Sequence, residues 1–286
     1  MPAAASTTPA QAIHAMWQGP SAHAADVVAH LGSRARWLRD PEVATVPVEA
    51  VGDRGIRDLV ERVAGVLVTG VVDPAETARW AEAVESRPDL WDRRSSGPTV
   101  TVGAAWFAHA GVEPDPVVRA RAYRDAAERG DAAVDVVAPG LHARLLDLTS
   151  RLLDAPVVRR PGWAGPGFVR FAPGADTDGD VHIDWIGLAA EDPAHLDRPC
   201  RSFVLMVRPG DEGGDLRLWP VGDGSDGPAV TTVPAPLEVR YPVGGLLVFD
   251  GHLLHQITAL GGTTPRLTIT WHAVRPRPDG PWELWF

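Results

Sequence analysis

Three side chains in this sequence have the types and spacing of a metal centre: His182, Asp184 and His255. The run Val181-His182-Ile183-Asp184-Trp185-Ile186 alternates apolar and polar residues. As an extended strand it turns His182 and Asp184 to one face and Val181, Ile183 and Trp185 to the other. Two ligands from one segment then converge on one point. A distant third His completes a two-His-one-carboxylate set, which leaves half of an octahedron open and suits ferrous iron. His255 is the residue chosen, because it closes Gly244-Gly245-Leu246-Leu247-Val248-Phe249-Asp250-Gly251-His252-Leu253-Leu254-His255, a pattern of buried strand, turn and ligand.

Two rivals exist within the chain. His195-Leu196-Asp197 repeats the His-x-Asp pattern, but it lies between Pro193 and Pro199 without strand alternation and reads as a surface loop. His252 directly follows Asp250-Gly251 in a turn-type sequence, and the spacing to the arginine discussed next favours His255.

Arg266 begins Arg266-Leu267-Thr268-Ile269-Thr270-Trp271, where alternation puts Arg266, Thr268 and Thr270 on one face. A guanidinium beside a hydroxyl is a good receptor for a carboxylate: the fork gives two parallel charge-assisted hydrogen bonds and the hydroxyl a third. Such a pair downstream of three metal ligands reads as the anchor of a bound diacid.

These residues need a scaffold. Residues 1–20 are read as a flexible tail and 21–156 as a mainly helical region completing the fold. In that region Ile56, Leu59, Val60, Val63 and Leu67 recur at the spacing of one helix face. Asp73-Pro74 with Glu76 reads as a cap, a first-turn proline and an N3 acid, opening a helix to about Arg87. Leu141, Leu145, Leu148 and Leu152 form a further stripe, ended by Asp154-Ala155-Pro156. From 157 to 286 the texture changes to short β-type runs: Gly167–Phe171, Val181–Trp185, Ser202–Val207, Asp215–Trp219, Leu246–Phe249 and Arg266–His272. The stretch from Asp211 to Pro236 reads as a strand pair with a mobile loop. Short strands separated by Gly, Pro and Asp clusters predict an antiparallel sandwich or barrel, of which a jelly roll is one solution.

With these motifs in place, the chain resembles the 2-oxoglutarate/iron(II)-dependent dioxygenase superfamily, in its prolyl-hydroxylase-like branch. The resemblance covers roughly Phe168 to Ala273. Phe168-Val169-Arg170-Phe171-Ala172-Pro173-Gly174 resembles the strand and turn before the family's His-x-Asp, and His182-Ile183-Asp184 matches that motif. Glu212-Gly213-Gly214-Asp215-Leu216 resembles its Gly-Gly turn, and Arg266-Leu267-Thr268 matches its Arg-x-Ser/Thr motif. Phe171 departs from the pattern, standing where the branch often has Tyr. The resemblance implies an α+β fold with a double-stranded β-helix (jelly roll, cupin-like) core. It implies Fe(II) held by His182, Asp184 and His255, with 2-oxoglutarate and O2 as cosubstrates and the far carboxylate of 2-oxoglutarate on Arg266 and Thr268. The implied reaction is hydroxylation of an unactivated carbon with release of succinate and carbon dioxide, with desaturation, epoxidation and ring closure by the same oxidant left open. A carboxylate at Asp184 favours hydroxylation over halogenation, because halogenating members have a small residue there.

Composition narrows the alternatives. The chain has 286 residues, enough for a sizeable core, and a net charge of −10. Its 27 basic residues are all Arg, so Schiff-base and P-loop lysine chemistry is excluded, and an acidic chain with scattered Arg argues against a nucleic-acid partner. Cys200 is the one cysteine, which excludes an intrachain disulfide or a thiolate cluster. No run approaches membrane-spanning length and no leader is evident, so a cytoplasmic enzyme acting on a small molecule, an amino acid or a secondary metabolite, is expected. Trp106 and His109, in the segment after Thr99, are candidate walls of the substrate site, with Trp185, Trp219 and Arg201 as further candidates. Two other readings stay open: a cupin-like metalloenzyme that does not use 2-oxoglutarate, and a non-catalytic jelly-roll binding module.

Overall fold

The computed structural model describes residues 23–51, 55–93, 99–110, 116–174, 178–184, 195 and 197–286. In chain order its strands are β1 (Ala35–Trp37), β2 (Asp40–Pro47), β3 (Val63–Thr69), β4 (Thr99–Val102), β5 (Val157–Arg159), β6 (Gly167–Phe171), β7 (Cys200–Arg208) and β8 (Glu212–Gly213). There follow β9 (Leu216–Asp223), β10 (Leu237–Val239), β11 (Leu246–Asp250), β12 (Leu253–Ile257), β13 (Leu260–Gly261), β14 (Arg266–Val274) and β15 (Trp282–Trp285). The tail expected over residues 1–20 lies outside the described residues.

Two sheets face each other. The larger runs β2-β3-β11-β7-β14, and the long strand β14 then pairs with β6 along its first half and with β15 at its end. β4 joins the outer side of β6, and β5 that of β15. The smaller sheet centres on β9, flanked by β12 and by β1 and β10. β11 of the large sheet passes into β12 of the small one through Gly251 and His252 alone. This tight corner has no room for a side chain at Gly251, whose Cβ would stand 2.8 Å from Cys200 Sγ.

Register decides which residues face which way. Leu246, Val248, Phe203, Leu205, Val207, Leu267, Ile269 and Trp271 share the outer face of the large sheet and pack under the helices. Phe203 and Trp271 stack there with centroids 5.1 Å apart, and Trp271 Nε1 donates to Thr149 Oγ1 on helix Leu141–Leu153. Burying each of those rings stabilises the fold by roughly 1.5–3 kcal/mol. The opposite parity, including Leu247, Phe249, Val204 and Met206, faces the small sheet and packs against Leu216, Leu218, Tyr241 and Leu253. The architecture is α+β with a jelly-roll core, as expected.

The helices begin and end for local reasons. Pro74–Glu85 starts where the Asp73 carboxylate accepts from the Ala75 amide at 2.7 Å. Leu141–Leu153 ends on Asp154 in the left-handed conformation, at φ 46°. The region before residue 157 is not purely helical, however. The apolar repeat from Ile56 to Leu67 divides into a short helix, Arg57–Arg62, and the strand β3. Val63, Val66 and Val68 are β-branched, and the strand is buried on both faces, so its apolar run is nearly continuous and imitates a helix face. β1, β2 and β4 also come from this region. β2 runs parallel to β3 and β5 parallel to β15, so the large sheet is mixed rather than wholly antiparallel.

Candidate metal centre

The inner edge of β12 carries the first candidate ligand. His255 is bridged there by His182, each main-chain amide donating to the other's carbonyl at 3.0 Å, which brings the two imidazole centroids to 4.2 Å. The expected strand over Val181–Trp185 is reduced to this single bridge among the described residues, because the chain turns at Asp184, whose amide donates to Gly251 O at 3.0 Å. Alternation still sorts the side chains. Val181 and Ile183 are buried with Trp219, Val221 and Leu254, and this anchoring turns His182 and Asp184 the other way.

The donor atoms of His182, Asp184 and His255 lie within 4.8 Å of one another. Asp184 Oδ1 is 3.8 Å from His182 Nε2, and Oδ2 is 3.3 Å from His255 Nε2. Ligands on adjacent corners of an octahedron with bonds of about 2.1 Å sit roughly 3 Å apart, so the trio needs little adjustment to close on a divalent ion. Each imidazole is held in the tautomer a ligand needs. His182 Nδ1 donates to Asp180 O at 2.8 Å and His255 Nδ1 to Leu253 O at 3.0 Å, which leaves both Nε2 lone pairs facing Asp184.

Electrostatics agree with the geometry. Burial, then the neighbouring His255, pushes the His182 pKa down to about 4, so it stays neutral at physiological pH. Burial also acts to lower that of His255, but the Asp184 carboxylate outweighs it and the net shift is upward. For Asp184, burial opposes the charge, and the attraction of His255, His272 and His182 overcomes it and holds the carboxyl well below the usual range. A buried carboxylate kept ionised between two imidazoles is a set of metal ligands suited to positive charge.

Two residues that the sequence did not single out complete the surroundings. Ser202 Oγ donates to Asp184 Oδ2 at 2.6 Å and lies 3.1 Å from His272 Nδ1, which is itself 3.6 Å from Oδ2. Ser202 on β7 and His272 on β14 are direct cross-strand partners. Extending the alternation Arg266, Thr268, Thr270 by one step reaches His272, so part of this pair was within reach of the sequence.

At the other end of β14 stands the diacid pair. Arg266 is 1% exposed and has no carboxylate partner among the described residues. Its guanidinium lies over the Phe171 ring at 5.1 Å and the Tyr241 ring at 5.8 Å, and its Nη2 donates to the Tyr241 hydroxyl. The phenol absent at Phe171 is thus supplied from elsewhere, by a residue whose position carried no local signal. Arg266 Nε and Thr268 Oγ1 are both buried with no hydrogen-bond partner. Two buried polar atoms left open beside an uncompensated cation fit an anion with several acceptor oxygens.

The other candidates lie elsewhere. Trp106 stacks on Trp163 at 5.1 Å and meets Tyr123 edge-on, and His109 also meets Tyr123 edge-on, so both belong to a buried aromatic cluster. Their neighbour Phe107 is half-buried and meets Phe286 edge-on at 6.4 Å, against the cluster that includes Val169. Arg201 is buried and committed to Asp250 at 3.3 Å, over the Trp282 ring. Trp219 sits behind the ligand segment. Trp185 lies outside the described residues. Of the rival ligands, His252 Nδ1 is 2.9 Å from Asp250 Oδ1, and Asp197 pairs with Arg34 at 3.0 Å.

No family model and no curated protein sequence matches the chain. Solved structures do share its fold. An N-substituted L-amino acid dioxygenase from Burkholderia ambifaria superimposes with a TM-score of 0.55 at 16% identity, over 81% of this chain and 89% of its own. An oxidoreductase of the 2OG-Fe(II) oxygenase family from Burkholderia pseudomallei gives 0.48 at 13% identity, over 84% and 97%. A prolyl hydroxylase from Trichoplax adhaerens gives 0.44 at 14%, over 76% and 86%. At these identities the likeness is one of fold, and the first superposition carries it.

Proposed function

We propose that the chain is a non-haem iron(II) oxygenase that consumes 2-oxoglutarate and O2 and hydroxylates an unactivated carbon of a small molecule. The observation that carries this reading is the buried guanidinium of Arg266, uncompensated among the described residues, with Thr268 Oγ1 open beside it. Leaving a charge buried without a partner costs several kcal/mol, and a dicarboxylate removes that cost. A metal site that takes no diacid has no use for such a pair, which weighs against a cupin-like enzyme without 2-oxoglutarate.

His182, Asp184 and His255 would hold the iron, which when bound supplies the oxygen activation and oxidative decarboxylation that no side chain provides. Arg266 and Thr268 bind and orient the far carboxylate. Phe171 and Tyr241 pin the guanidinium and so fix the direction of its fork. Burial of that end excludes water from the anchored carboxylate. On a bound metal the Asp184 carboxylate would take the place that halogenating members leave open with a small residue, which supports hydroxylation. An amino acid or related secondary metabolite is the substrate class proposed, supported by the fold shared with an amino acid dioxygenase.

The test is anaerobic addition of ferrous iron and 2-oxoglutarate to the purified protein, watching for the visible charge-transfer band of a chelated keto acid. A band, with submillimolar 2-oxoglutarate binding, is the expected result. No band and no 2-oxoglutarate binding by calorimetry would overturn the proposal. Metal binding alone would transfer the protein to the metalloenzyme class without this cosubstrate.

A further inference from the structure

Asp184 has two carboxylate oxygens, and the structure treats them differently. Oδ2 accepts the Ser202 hydroxyl at 2.6 Å while standing 3.3 Å from His255 Nε2, whereas Oδ1 takes no side-chain hydrogen bond among the described residues and stands 3.8 Å from His182 Nε2. Ser202 has one proton to give and two neighbours that want it, Asp184 Oδ2 and His272 Nδ1 at 3.1 Å. The carboxylate is charged and closer, so it takes the proton. The contact with His272 is then attractive only if Nδ1 carries hydrogen and donates to the Ser202 oxygen. The result is one directed chain, from His272 Nδ1–H to Ser202 Oγ–H to Asp184 Oδ2, whose links polarise one another. Its members are rigidly placed. Ser202 and His272 are paired across the centre of the large sheet, and the His272 ring packs against Trp285 at 4.5 Å. The Asp184 amide is fixed to Gly251, whose Cβ, if it had one, would lie 3.2 Å from Ser202 Oγ.

We propose that Ser202 and His272 are positioning residues that occupy one oxygen of Asp184 and so make it a one-oxygen metal ligand. This inference rests on the iron site proposed above. A carboxylate free to rotate can bind through both oxygens, as carboxylate ligands do in other metal sites, and would fill a coordination position that a chelating cosubstrate and O2 require. With Oδ2 engaged by a hydroxyl, Asp184 would offer a bound metal a single oxygen.

The test uses cobalt(II) as a spectroscopic probe on the full chain, together with anaerobic iron(II) and 2-oxoglutarate. Ser202→Ala and His272→Leu are expected to weaken cobalt binding roughly ten- to a hundredfold. They are also expected to change the cobalt d–d spectrum and to weaken 2-oxoglutarate binding to the loaded site. Ser202→Thr retains the hydroxyl, and His272→Asn places an amide N–H near the position of Nδ1. Both should restore the wild-type spectrum and affinity, which keeps the test decisive if either truncation fails to fold. Wild-type cobalt affinity and spectrum in Ser202→Ala would overturn the positioning role while leaving the iron site standing. Conservative variants no better than the truncations would overturn it as well. A wild-type protein that binds no divalent ion would overturn the iron site and this inference with it.

Discussion

His182 and His255 hold each other through their main chains, amide to carbonyl in both directions at 3.0 Å. Because the bridge is made of backbone, either side chain can be removed without breaking it. His255→Ala and His182→Ala should therefore fold, with unfolding free energies within about 1 kcal/mol of wild type. Calorimetry with iron(II) or cobalt(II) should find binding lost in both. Tight binding in His255→Ala would point to a different third ligand.

Arg266 opens β14, at the end away from His272, and donates to the Tyr241 hydroxyl. Arg266→Gln should reduce 2-oxoglutarate affinity by at least about 2 kcal/mol, roughly thirtyfold, because a buried charge partner is removed. Metal affinity should stay unchanged. Tyr241→Phe keeps the ring and drops the hydroxyl, and is expected to cost about 1 kcal/mol of 2-oxoglutarate affinity. Parallel titrations of metal and 2-oxoglutarate separate the two sites, and equal losses of both in Arg266→Gln would contradict the division.

Protons and metal compete for His255. Its pKa is raised by Asp184, whereas that of His182 is pushed down to about 4 by burial, so in the metal-free protein His255 is the ligand that retains a proton as pH falls. Metal binding must expel that proton. Affinity should be flat above the raised His255 pKa and fall about tenfold per pH unit below it, with His182 adding a second proton only near pH 4. Titrations in buffers of different ionisation enthalpy should count one proton released at pH 6. Release of two there would show that His182 also binds a proton in that range.

Arg201 is a structural cation. Together with Arg39 it neutralises Asp250, which is buried beneath the corner joining the two sheets. Arg201→Leu should destabilise the fold by about 2–4 kcal/mol, less than a fully stranded charge because Arg39 remains. Denaturant unfolding should register this loss while 2-oxoglutarate affinity holds. A variant of normal stability with impaired substrate oxidation would reinstate Arg201 as a substrate contact.

The Gly213-Gly214 turn is expected to be intolerant for two reasons. Both glycines have positive φ, at 67° and 71°. A Cβ on Gly213 would stand 1.9 Å from Ala259 O, and one on Gly214 would stand 3.0 Å from Arg266 Cδ. Gly213→Ala should lower unfolding free energy by at least about 1–3 kcal/mol. Gly214→Ala should in addition weaken 2-oxoglutarate binding, because it presses on the anchoring arginine, and calorimetry on the two variants distinguishes the effects.

Much of the site was legible because strand periodicity is short and local. The order His182, Asp184, His255, Arg266, Thr268 needed only alternation and motif spacing, and the limits of β6 and of helix Leu141–Leu153 follow from residues beside them. What escaped reading depends on contacts between distant segments. Tyr241 meets Arg266, and Ser202 meets Asp184, through sheet register that no local pattern encodes. Val63–Thr69 was misleading for a different reason: a strand buried on both faces loses the alternation that identifies strands. Trp106 and His109 show the converse. A helical turn carries them into the Tyr123 cluster, while Phe107 between them meets Phe286.

β3 lies against β11, and β4 against β6, so strands from the first part of the chain line strands from the second on both flanks of the large sheet. During synthesis those early strands emerge before the partners they must pair with. Folding then waits on long loop closures, which makes it slow by topology, and the waiting β3, apolar on both faces, is an aggregation hazard until β11 arrives. Expressed alone, residues 157–286 would expose the complementary raw edges of β11 and β6. The ligand-bearing half is therefore inseparable from the region before it as a soluble folding unit, and divided chains should recover a native sheet only when both parts are present together.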